Sequence, residues 1–393
     1  MADSFVIEPE AAERLLREYG LRLVSLTRIW KGTISQNYRV MTDVGPLFLR
    51  VSAGRSIADA EFETQLTWHL LSHGLRVPAL FQAHNRQGYV KLPGSVKGQF
   101  VALAMLYEWV DGYERTDGEF DEAHALEVGQ LLGQLHLCTS TLNLRREGIY
   151  TPSHIRRRLK DMVRHPRWNE ALLPTLDRLN REIEAPALRG FGQLPSGIGH
   201  CDLFPDNILF PTAKAKRKQA RRAIEVGPWM IDLEQAAWTP LLYDLAVSLL
   251  ACTSPVPSHD AGTDKPLSER QADEKQADEK QADEKQADEK HTERTGPLML
   301  PWARSMVAGY QRMRLITDEE WTALPALLRF CCVRFATTRL TDIHLRDPMS
   351  SGGEPNKPAS ATGTVHSKDY RDYLWRLDRL DEISSEELIH KLR

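Results

Sequence analysis

The sequence predicts an α+β fold in which a small antiparallel sheet is followed by a mainly helical region. Three apolar runs lie within residues 21–51, and their alternation with polar residues is typical of half-buried strands. In residues 123–137, apolar residues recur at positions 126, 128, 131, 132, 135 and 137, which indicates a helix with one buried face. At 393 residues, the chain is long enough for two lobes with a sizeable core.

The first elements are a short helix and three strands. Residues 8–20 place Leu15, Leu16 and Tyr19 at helical spacing. Strands follow at residues 21–30, 38–41 and 47–51, with a turn at residues 43–46 whose Gly and Pro interrupt regular structure. A helix is then predicted at residues 57–74, where Gly74 ends it.

The later elements are one strand and a series of helices. Residues 100–105 predict a strand that runs into a hinge at residues 107–112. The predicted helices occupy residues 123–137, part of 153–190, 298–310, 318–328, 328–345 and a final stretch around 370–380.

Three segments differ from the rest in composition. Residues 211–222 form a basic hairpin tip, and residues 349–366 form a linker rich in Gly, Ser and Pro that we predict to be flexible. A low-complexity insertion at residues 255–296 contains four copies of Gln-Ala-Asp-Glu-Lys at 271–290. A five-residue period advances about 140° per copy on a helix, so its Ala residues never form a continuous apolar stripe.

Charge and cysteine content exclude several classes of partner. A net charge of −3 argues against nucleic acid or an anionic membrane as the main partner. The N-terminal residues lack the pattern of a signal peptide, and no apolar run has the length of a spanning helix. Five scattered cysteines suit reduced thiols. We therefore predict a cytoplasmic protein and make no prediction of its oligomeric state.

The stretch Gly-His-Cys-Asp-Leu-Phe-Pro-Asp-Asn at residues 199–207 carries the strongest chemical signal. His200, Asp202 and Asn207 have the spacing H-x-D-x-x-x-x-N of kinase catalytic loops. Phosphoryl transfer needs an in-line hydroxyl, a metal and one proton acceptor. A lone His or Asp in a turn is usually a cap, but this conjunction favours chemistry. We predict Asp202 as the proton acceptor and assign His200 to the shape of the loop.

A second motif brings further oxygen ligands to the same place. Residues 208–210 and 229–231 predict a hairpin that returns Asp232 to the loop. Mg²⁺ prefers hard oxygen ligands and keeps several waters. We predict Asn207 and Asp232 as ligands of Mg²⁺, and Glu234 as a ligand of a second metal or a supporting carboxylate.

The third strand supplies a candidate cation for nucleotide phosphates. Kinases place a Lys on this strand, and the matching residue here is Arg50, which would offer a planar fork in place of a point charge. Glu63, or alternatively Glu61, could pair with Arg50 from the following helix. Ordinary solvated helix carboxylates are the alternative for both.

Backbone groups are the other candidates for nucleotide contacts. The polar loop at residues 31–38 contains Gly32 and Asn37 and could close over phosphates through its N–H groups, although a plain hairpin loop would look the same. In the hinge, the backbone of Glu108 and Val110 could recognise adenine without a special side chain.

These motifs resemble those of the aminoglycoside phosphotransferase and choline kinase superfamily. The resemblance rests on the loop at residues 200–207, Ile-Asp-Leu-Glu at 231–234 and Leu-Tyr-Asp-Leu-Ala at 242–246. Stretches at residues 129–137, 308–311 and 328–342 make the chain most similar to the bacterial homoserine kinases of that superfamily. The likeness covers most of residues 5–345 and the final helix.

The resemblance implies a protein-kinase-like bilobal fold and a use of ATP and Mg²⁺. It places an N-lobe at residues 1–107 and a C-lobe at 108–393, and it makes Asp202 the base and Asp244 a brace for the catalytic loop. The implied reaction is phosphorylation of a small-molecule hydroxyl, that of homoserine in threonine biosynthesis. Cys201 and Arg50 depart from the family pattern without touching the expected metal ligands.

Homoserine is a zwitterion, so its site needs one cation and one anion. Arg339 and Asp342 lie three residues apart on a predicted helix and would share a face; an ordinary helix ion pair is the alternative. An aminoglycoside would require an acidic site and choline an aromatic cage. The pattern would also suit a protein kinase of the same superfamily or an inactive kinase-like binding protein.

Overall fold

The computed structural model describes residues 7–30, 35–93, 100–115, 120–213, 215, 227–255, 296–345 and 369–393. Gly32, the Gln-Ala-Asp-Glu-Lys repeat, the linker at 349–366 and most of the basic hairpin tip lie outside these residues. Within the described ranges, no helix is long and apolar enough to cross a membrane.

The N-terminal part is a five-stranded antiparallel sheet with one helix before the first strand and one after the third. The elements are α1 (Pro9–Arg17), β1 (Leu23–Ile29), β2 (Gln36–Thr42), β3 (Gly45–Ala53), α2 (Ile57–Ser72), β4 (Val90–Pro93) and β5 (Phe100–Glu108). The strand order in the sheet is β1-β2-β3-β5-β4. The predicted helices and the first three strands are confirmed, whereas β4 was not predicted.

Strand β3 has a buried face that sets the register of the sheet. Leu47, Leu49 and Val51 alternate along it and pack in the cluster that includes α1. Arg50 therefore points to the opposite face, toward α2. Ser56 caps α2 by accepting a hydrogen bond from the N–H of Asp59 at 3.1 Å. The sequence pattern thus fixes which face of β3 carries the candidate cation.

The C-terminal part is mainly helical and has its own large core. Its helices are α3 (Glu122–Thr139), α4 (Pro152–Met162), α5 (Leu173–Ile183), α6 (Leu241–Thr253), α7 (Leu300–Gln311), α8 (Asp318–Arg339), α9 (Arg371–Asp381) and α10 (Ser385–Leu392). Together with the sheet, this arrangement confirms the predicted α+β fold.

Helix α8 corrects one prediction. The separate helices expected at 318–328 and 328–345 are one helix of 22 residues, followed by a π-helical turn at Leu340–His344. A capping box joins Thr317 and Glu320 at its start. The helix continues past Pro325 because its buried face is uninterrupted: Leu327 and Phe330 lie in the same core.

The C-terminal part also contains short strands, which form two small sheets separate from the N-terminal one. They are β6 (Gly112–Tyr113), β7 (Ser196–Gly199), β8 (Ile208–Pro211), β9 (Trp229–Met230) and β10 (Ala237–Pro240). Strands β8 and β9 pair antiparallel through Ile208 and Met230, as predicted. Strands β7 and β10 form a second antiparallel pair that the sequence analysis missed.

Helices α3 and α7 cross at the distance of backbone contact. A Cβ atom at Gly129 would lie 2.0 Å from the carbonyl oxygen of Met306, and one at Gly309 would lie 2.1 Å from that of Leu126. Only glycine fits at either position, so the two helices approach more closely than side chains would allow.

Candidate active site

One buried carboxylate holds the loop that follows β7. Asp244, on α6, accepts hydrogen bonds from the backbone N–H of His200 at 2.7 Å and of Cys201 at 2.6 Å. Cys201 has a φ of +65°, a left-handed conformation that is strained for a residue with a Cβ atom. The two hydrogen bonds stabilise this turn, which is the contact that a bracing role for Asp244 requires.

A buried histidine supports Asp244 from helix α3. Nε2 of His136 lies 3.0 Å from Oδ2 of Asp244, and its Nδ1 lies 2.8 Å from the hydroxyl of Tyr310. Burial acts to raise the pKa of Asp244, but the hydrogen bond from His136 and the neighbouring donors hold it below its usual value. Asp244 therefore remains an ionised acceptor beneath the loop.

His200 links the loop to the strand that leads to Asp232. Its Nε2 donates to the carbonyl oxygen of Ile231 at 2.9 Å, and its Nδ1 accepts from the N–H of Asp202 at 3.3 Å. Both ring nitrogens are thus engaged within the loop. The ring is completely buried, and these contacts suit the shaping role that the sequence predicts for His200.

Asp202 presents a partly open carboxylate at the end of this loop. Its side chain is 33% exposed, and its Oδ1 lies 3.4 Å from the guanidinium of Arg334. Among the described residues, Oδ2 has no hydrogen-bond donor. Nδ2 of Asn207 donates to the backbone carbonyl oxygen of Asp202 at 2.8 Å, which leaves Oδ1 of Asn207 as the atom that a metal ion could bind.

The hairpin brings Asp232 and Glu234 to the same loop. The N–H of Ile231 donates to the carbonyl oxygen of Asn207 at 3.0 Å, so Asp232 follows directly beside Asn207. Asp232 has a φ of +62°, and its Oδ1 accepts from the N–H of Glu234 at 3.4 Å. The backbone of Asp232 is therefore strained, and the hydrogen bond from Glu234 sets the direction of its side chain.

Arg50 faces both of these carboxylates from β3, so the expectation that it would not touch the predicted metal ligands is wrong. Its Nη1 lies 3.3 Å from Oδ1 of Asp232 and 4.0 Å from Oε2 of Glu234. Desolvation raises the pKa of Asp232 to about 6; Arg50 opposes this rise, whereas the negative charge of Glu234 adds to it. The side chain of Asp232 is nevertheless 47% exposed, so water and a cation can reach it.

The ion pair expected between Arg50 and Glu63 is present. Nη2 of Arg50 lies 2.6 Å from Oε1 of Glu63 and 2.8 Å from the hydroxyl of Tyr107. Arg55 binds the other oxygen of Glu63. Burial acts to raise the pKa of Glu63, but the two arginines lower it to about 2. Glu61, the alternative partner, accepts instead from the hydroxyl of Tyr89 at 3.2 Å.

The remaining candidates for nucleotide contacts lie on β2 and at the end of β5. Asn37 is directly opposite Arg50 in the pairing of β2 with β3. The N–H of Glu108 already donates to the carbonyl oxygen of Ala79 at 2.8 Å. Any contact of Glu108 with adenine would therefore use its carbonyl group, and Val110 follows two residues later.

The structure gives Asp342 a partner other than Arg339. Asp342 forms an ion pair with Arg158 on α4, and the same guanidinium contacts Oγ1 of Thr341 at 2.6 Å. The guanidinium of Arg339 lies over the ring of Phe335 at 5.9 Å. The shared helix face was expected from α-helical spacing, but Asp342 lies in the π-helical turn, where that spacing no longer holds.

The donor set suits a hard cation that is only partly held by protein. Within the described ranges, no three His, Cys, Asp or Glu side chains form a metal site by themselves. The available donors are Oδ1 of Asn207 and the carboxylates of Asp232 and Glu234. Mg²⁺ commonly takes one or two carboxylates and completes its shell with water and phosphate oxygens, so these residues fit it.

Sequence analysis missed several residues of the site. Each of them contacts a residue that the sequence predicted but lies outside the motif of that residue. They are Arg334 beside Asp202, His136 beside Asp244 and Arg55 beside Glu63. His136 and Arg334 are far along the chain from their partners. Arg55 carried a weak signal because it lies close to Glu63 in the sequence.

Comparison with known proteins agrees with this geometry. The model of the phosphotransferase enzyme family, APH, matches residues 25–289, which is about two-thirds of the chain. The homoserine kinase of Nitrobacter hamburgensis is 26% identical over 352 residues, covering 87% of this chain and 87% of that protein. The homoserine kinase of Pseudomonas aeruginosa is 27% identical over 361 residues, covering 87% and 92%.

Solved structures of low sequence identity share the fold. An amicoumacin kinase in complex with AMP-PNP and Ca²⁺ superposes with a TM-score of 0.64 at 13% identity, covering 99% of this chain and 98% of its own. A choline kinase from Cryptosporidium parvum gives a TM-score of 0.53 at 14% identity, with 94% and 93% covered. Since the family model spans most of the chain and the fold agrees with it, this protein belongs to the phosphotransferase enzyme family and has its bilobal, protein-kinase-like architecture.

Proposed function

We propose that the protein transfers the γ-phosphoryl group of ATP to the hydroxyl of homoserine. The observation that carries the proposal is the open Oδ2 of Asp202, beside a loop and hairpin that direct three metal-compatible side chains to one place. The similarity of this chain to homoserine kinases, over most of the length of those proteins, supports the choice of acceptor. We also propose a cytoplasmic location, which the five free cysteines support.

Asp202 acts as the base in this proposal. Its carboxylate accepts the proton of the substrate hydroxyl while the hydroxyl oxygen forms a bond to the γ-phosphorus and the bond to the leaving ADP oxygen breaks. The backbone of Asp202 is held by His200 and Asn207. A fixed carboxylate loses little freedom on reaching the reactive geometry, which lowers the barrier to transfer.

Asn207 and Asp232 would hold Mg²⁺, with Glu234 as a further or supporting ligand. When bound, the ion would neutralise charge on the phosphate oxygens. The Nδ2 atom of Asn207 is already occupied by the carbonyl oxygen of Asp202, which directs Oδ1 outward. The strained backbone of Asp232 is supported by the hairpin that it terminates.

Arg50 would bind nucleotide phosphates in this proposal. Glu63 and Tyr107 hold Nη2 of Arg50, and Nη1 remains directed toward Asp232. The planar guanidinium can thus serve the protein with one nitrogen and a phosphate oxygen with the other.

The nucleotide would lie along the N-lobe, at residues 1–107. Gly32 and Asn37 would cover the phosphates, while the carbonyl of Glu108 and the N–H of Val110 would contact adenine. Adenine offers an amino donor beside a ring acceptor, and one carbonyl and one N–H are the complement that it requires.

The acceptor would lie against the C-lobe, at residues 108–393. Asp342 is the candidate for the substrate ammonium and Arg339 for its carboxylate. The contact between Asp342 and Arg158 supports a site that carries both charges, and it adds Arg158 as a second candidate for the carboxylate.

The test is an ADP-release screen of the purified full-length protein. Homoserine, choline, several aminoglycosides and a generic protein substrate are compared, each with ATP and Mg²⁺, and the product is identified by mass spectrometry. We expect turnover with homoserine only. Turnover confined to another acceptor would overturn the choice of homoserine, and nucleotide binding without any turnover would favour an inactive binding protein.

A further inference from the structure

Helix α8 buries a positive charge directly behind the proposed base. Arg334 is 3% exposed, and burial acts to lower its pKa, but the surrounding phenols and Asp202 raise it above its usual value. The guanidinium is therefore charged. Removing such a group from water is costly unless other groups compensate, so its surroundings indicate what it does.

The guanidinium of Arg334 lies against two aromatic rings and faces one carboxylate. Its guanidinium carbon lies 4.1 Å from the ring centre of Tyr150 and 3.7 Å from that of Phe335. Both Nη atoms are 3.4 Å from Oδ1 of Asp202. In the part of the chain that the structure describes, Nε has no hydrogen-bond partner. The two rings restrict the movement of the guanidinium, and both of its Nη atoms face a single oxygen of Asp202.

This contact differs from the ion pairs that stabilise the helical core. Arg314 contacts the buried Glu320 at 2.8 Å, and Arg329 contacts Glu182 at 2.5 Å and 2.8 Å through two nitrogens. The contact of Arg334, at 3.4 Å, is longer than any of these. A pair selected for stability alone would be shorter. The geometry instead engages Oδ1 of Asp202 and leaves Oδ2 open.

The catalytic loop supplies no cation of its own. Residues 199–210 contain neither Lys nor Arg. Arg334 reaches Asp202 from 132 residues further along the chain, on a helix of 22 residues that packs in the main core. The side chain of Asp202 is thus held by a residue of α8, while its backbone is held by residues of the loop.

We propose that Arg334 is a positioning residue that fixes the carboxylate of Asp202 with Oδ2 facing the acceptor hydroxyl. The inference rests on the proposed role of Asp202 as the base and does not depend on which acceptor is used. Its rival is a role for Arg334 in binding the carboxylate of the substrate, which would act on substrate affinity and not through Asp202.

A double-mutant cycle separates these roles. The variants are Arg334→Met, Asp202→Asn and the double variant, assayed for kcat and KM with the acceptor found in the screen. Misplacement of a catalytic group by about 1 Å can cost about 10²-fold. We expect Arg334→Met to lower kcat by about 10- to 100-fold, to change the acceptor KM less than about threefold, and to have little further effect on kcat in the Asp202→Asn background.

The control is Arg329→Met, which removes an arginine from the same helix, away from the loop. Thermal unfolding should show a comparable loss of stability in both Met variants, while Arg329→Met keeps its kcat. If Arg334→Met does not fold, Arg334→Lys replaces it in the cycle, since it retains the charge but not the planar fork. That variant should show a smaller loss of kcat that again disappears in the Asp202→Asn background.

If the losses of kcat in the two single variants multiply in the double variant, the proposal is overturned. A large rise in the acceptor KM of Arg334→Met at unchanged kcat would also overturn it. The second result would assign Arg334 to the substrate carboxylate. If homoserine is not phosphorylated but another acceptor is, the choice of homoserine fails while the cycle still decides the role of Arg334.

Discussion

Replacing Glu63 by Gln should destabilise the N-terminal part of the protein strongly at neutral pH. The side chain of Glu63 is 2% exposed and lies between Arg50 and Arg55. Gln keeps the size and one acceptor oxygen but removes the negative charge. Two buried guanidinium groups then lose their compensation, and such a change is costly even when the fold is retained.

The pKa of Glu63 gives the magnitude. It is lowered from 4.5 to about 2, so ionisation of Glu63 stabilises the folded state by about 3 kcal/mol, at about 1.4 kcal/mol per pKa unit. The folded-state pKa lies below the unfolded one. The contribution is therefore complete above pH 4.5 and is lost as the pH falls from 4.5 to about 2.

The assay is urea unfolding of wild type and Glu63→Gln at a series of pH values from 7 downward. The difference in unfolding free energy should be about 3 kcal/mol at pH 7 and should shrink below pH 4.5. Glu61→Gln is the matched control on the same helix and should change stability by less than about 0.5 kcal/mol. A difference for Glu63→Gln that is equally small, or that does not shrink in acid, would refute the reasoning.

The remaining predictions concern the site and the insertion. Asp202→Asn should keep nucleotide binding and lose about 10²- to 10⁴-fold in kcat, whereas Asp232→Ala should also weaken binding of Mg²⁺-nucleotide. Calorimetry measures the binding, and ADP release measures kcat. Near-normal turnover in Asp202→Asn would remove Asp202 from the mechanism. Asp244→Ala leaves three buried donors without an acceptor and should cost at least about 3 kcal/mol; a change below about 1 kcal/mol in thermal unfolding would contradict this. Deletion of residues 271–290 should change stability by less than about 0.5 kcal/mol, and a large loss of stability or activity would show that the repeat packs against the protein.

The sequence was most informative where the site is built from neighbouring residues. His200, Asp202 and Asn207 lie within one loop, and the hairpin that returns Asp232 could be predicted from two short apolar runs. Loop geometry and strand pairing over such distances follow from local rules. The relative placement of these residues was therefore predictable.

The supporting contacts come from residues that meet only after packing. Arg334 reaches Asp202 across 132 residues, His136 reaches Asp244 across 108, and Ser35 reaches Glu234 across 199. No period or motif connects such pairs in one sequence. The partner of Asp342 was unpredictable for the same reason, because Arg158 lies on a different helix.

The crossing of α3 and α7 limits how this protein can change. Most tight contacts in a core can be relieved by making the neighbouring side chain smaller. At Gly129 and Gly309, the obstructing atoms are backbone carbonyl oxygens, and no amino acid substitution removes them. Any side chain there must push the helices apart. His136 is hydrogen-bonded to Tyr310 on α7 and to Asp244 beneath the catalytic loop. With the helices apart, it could not keep both partners. Loss of function at either glycine should therefore have no suppressor at the facing position.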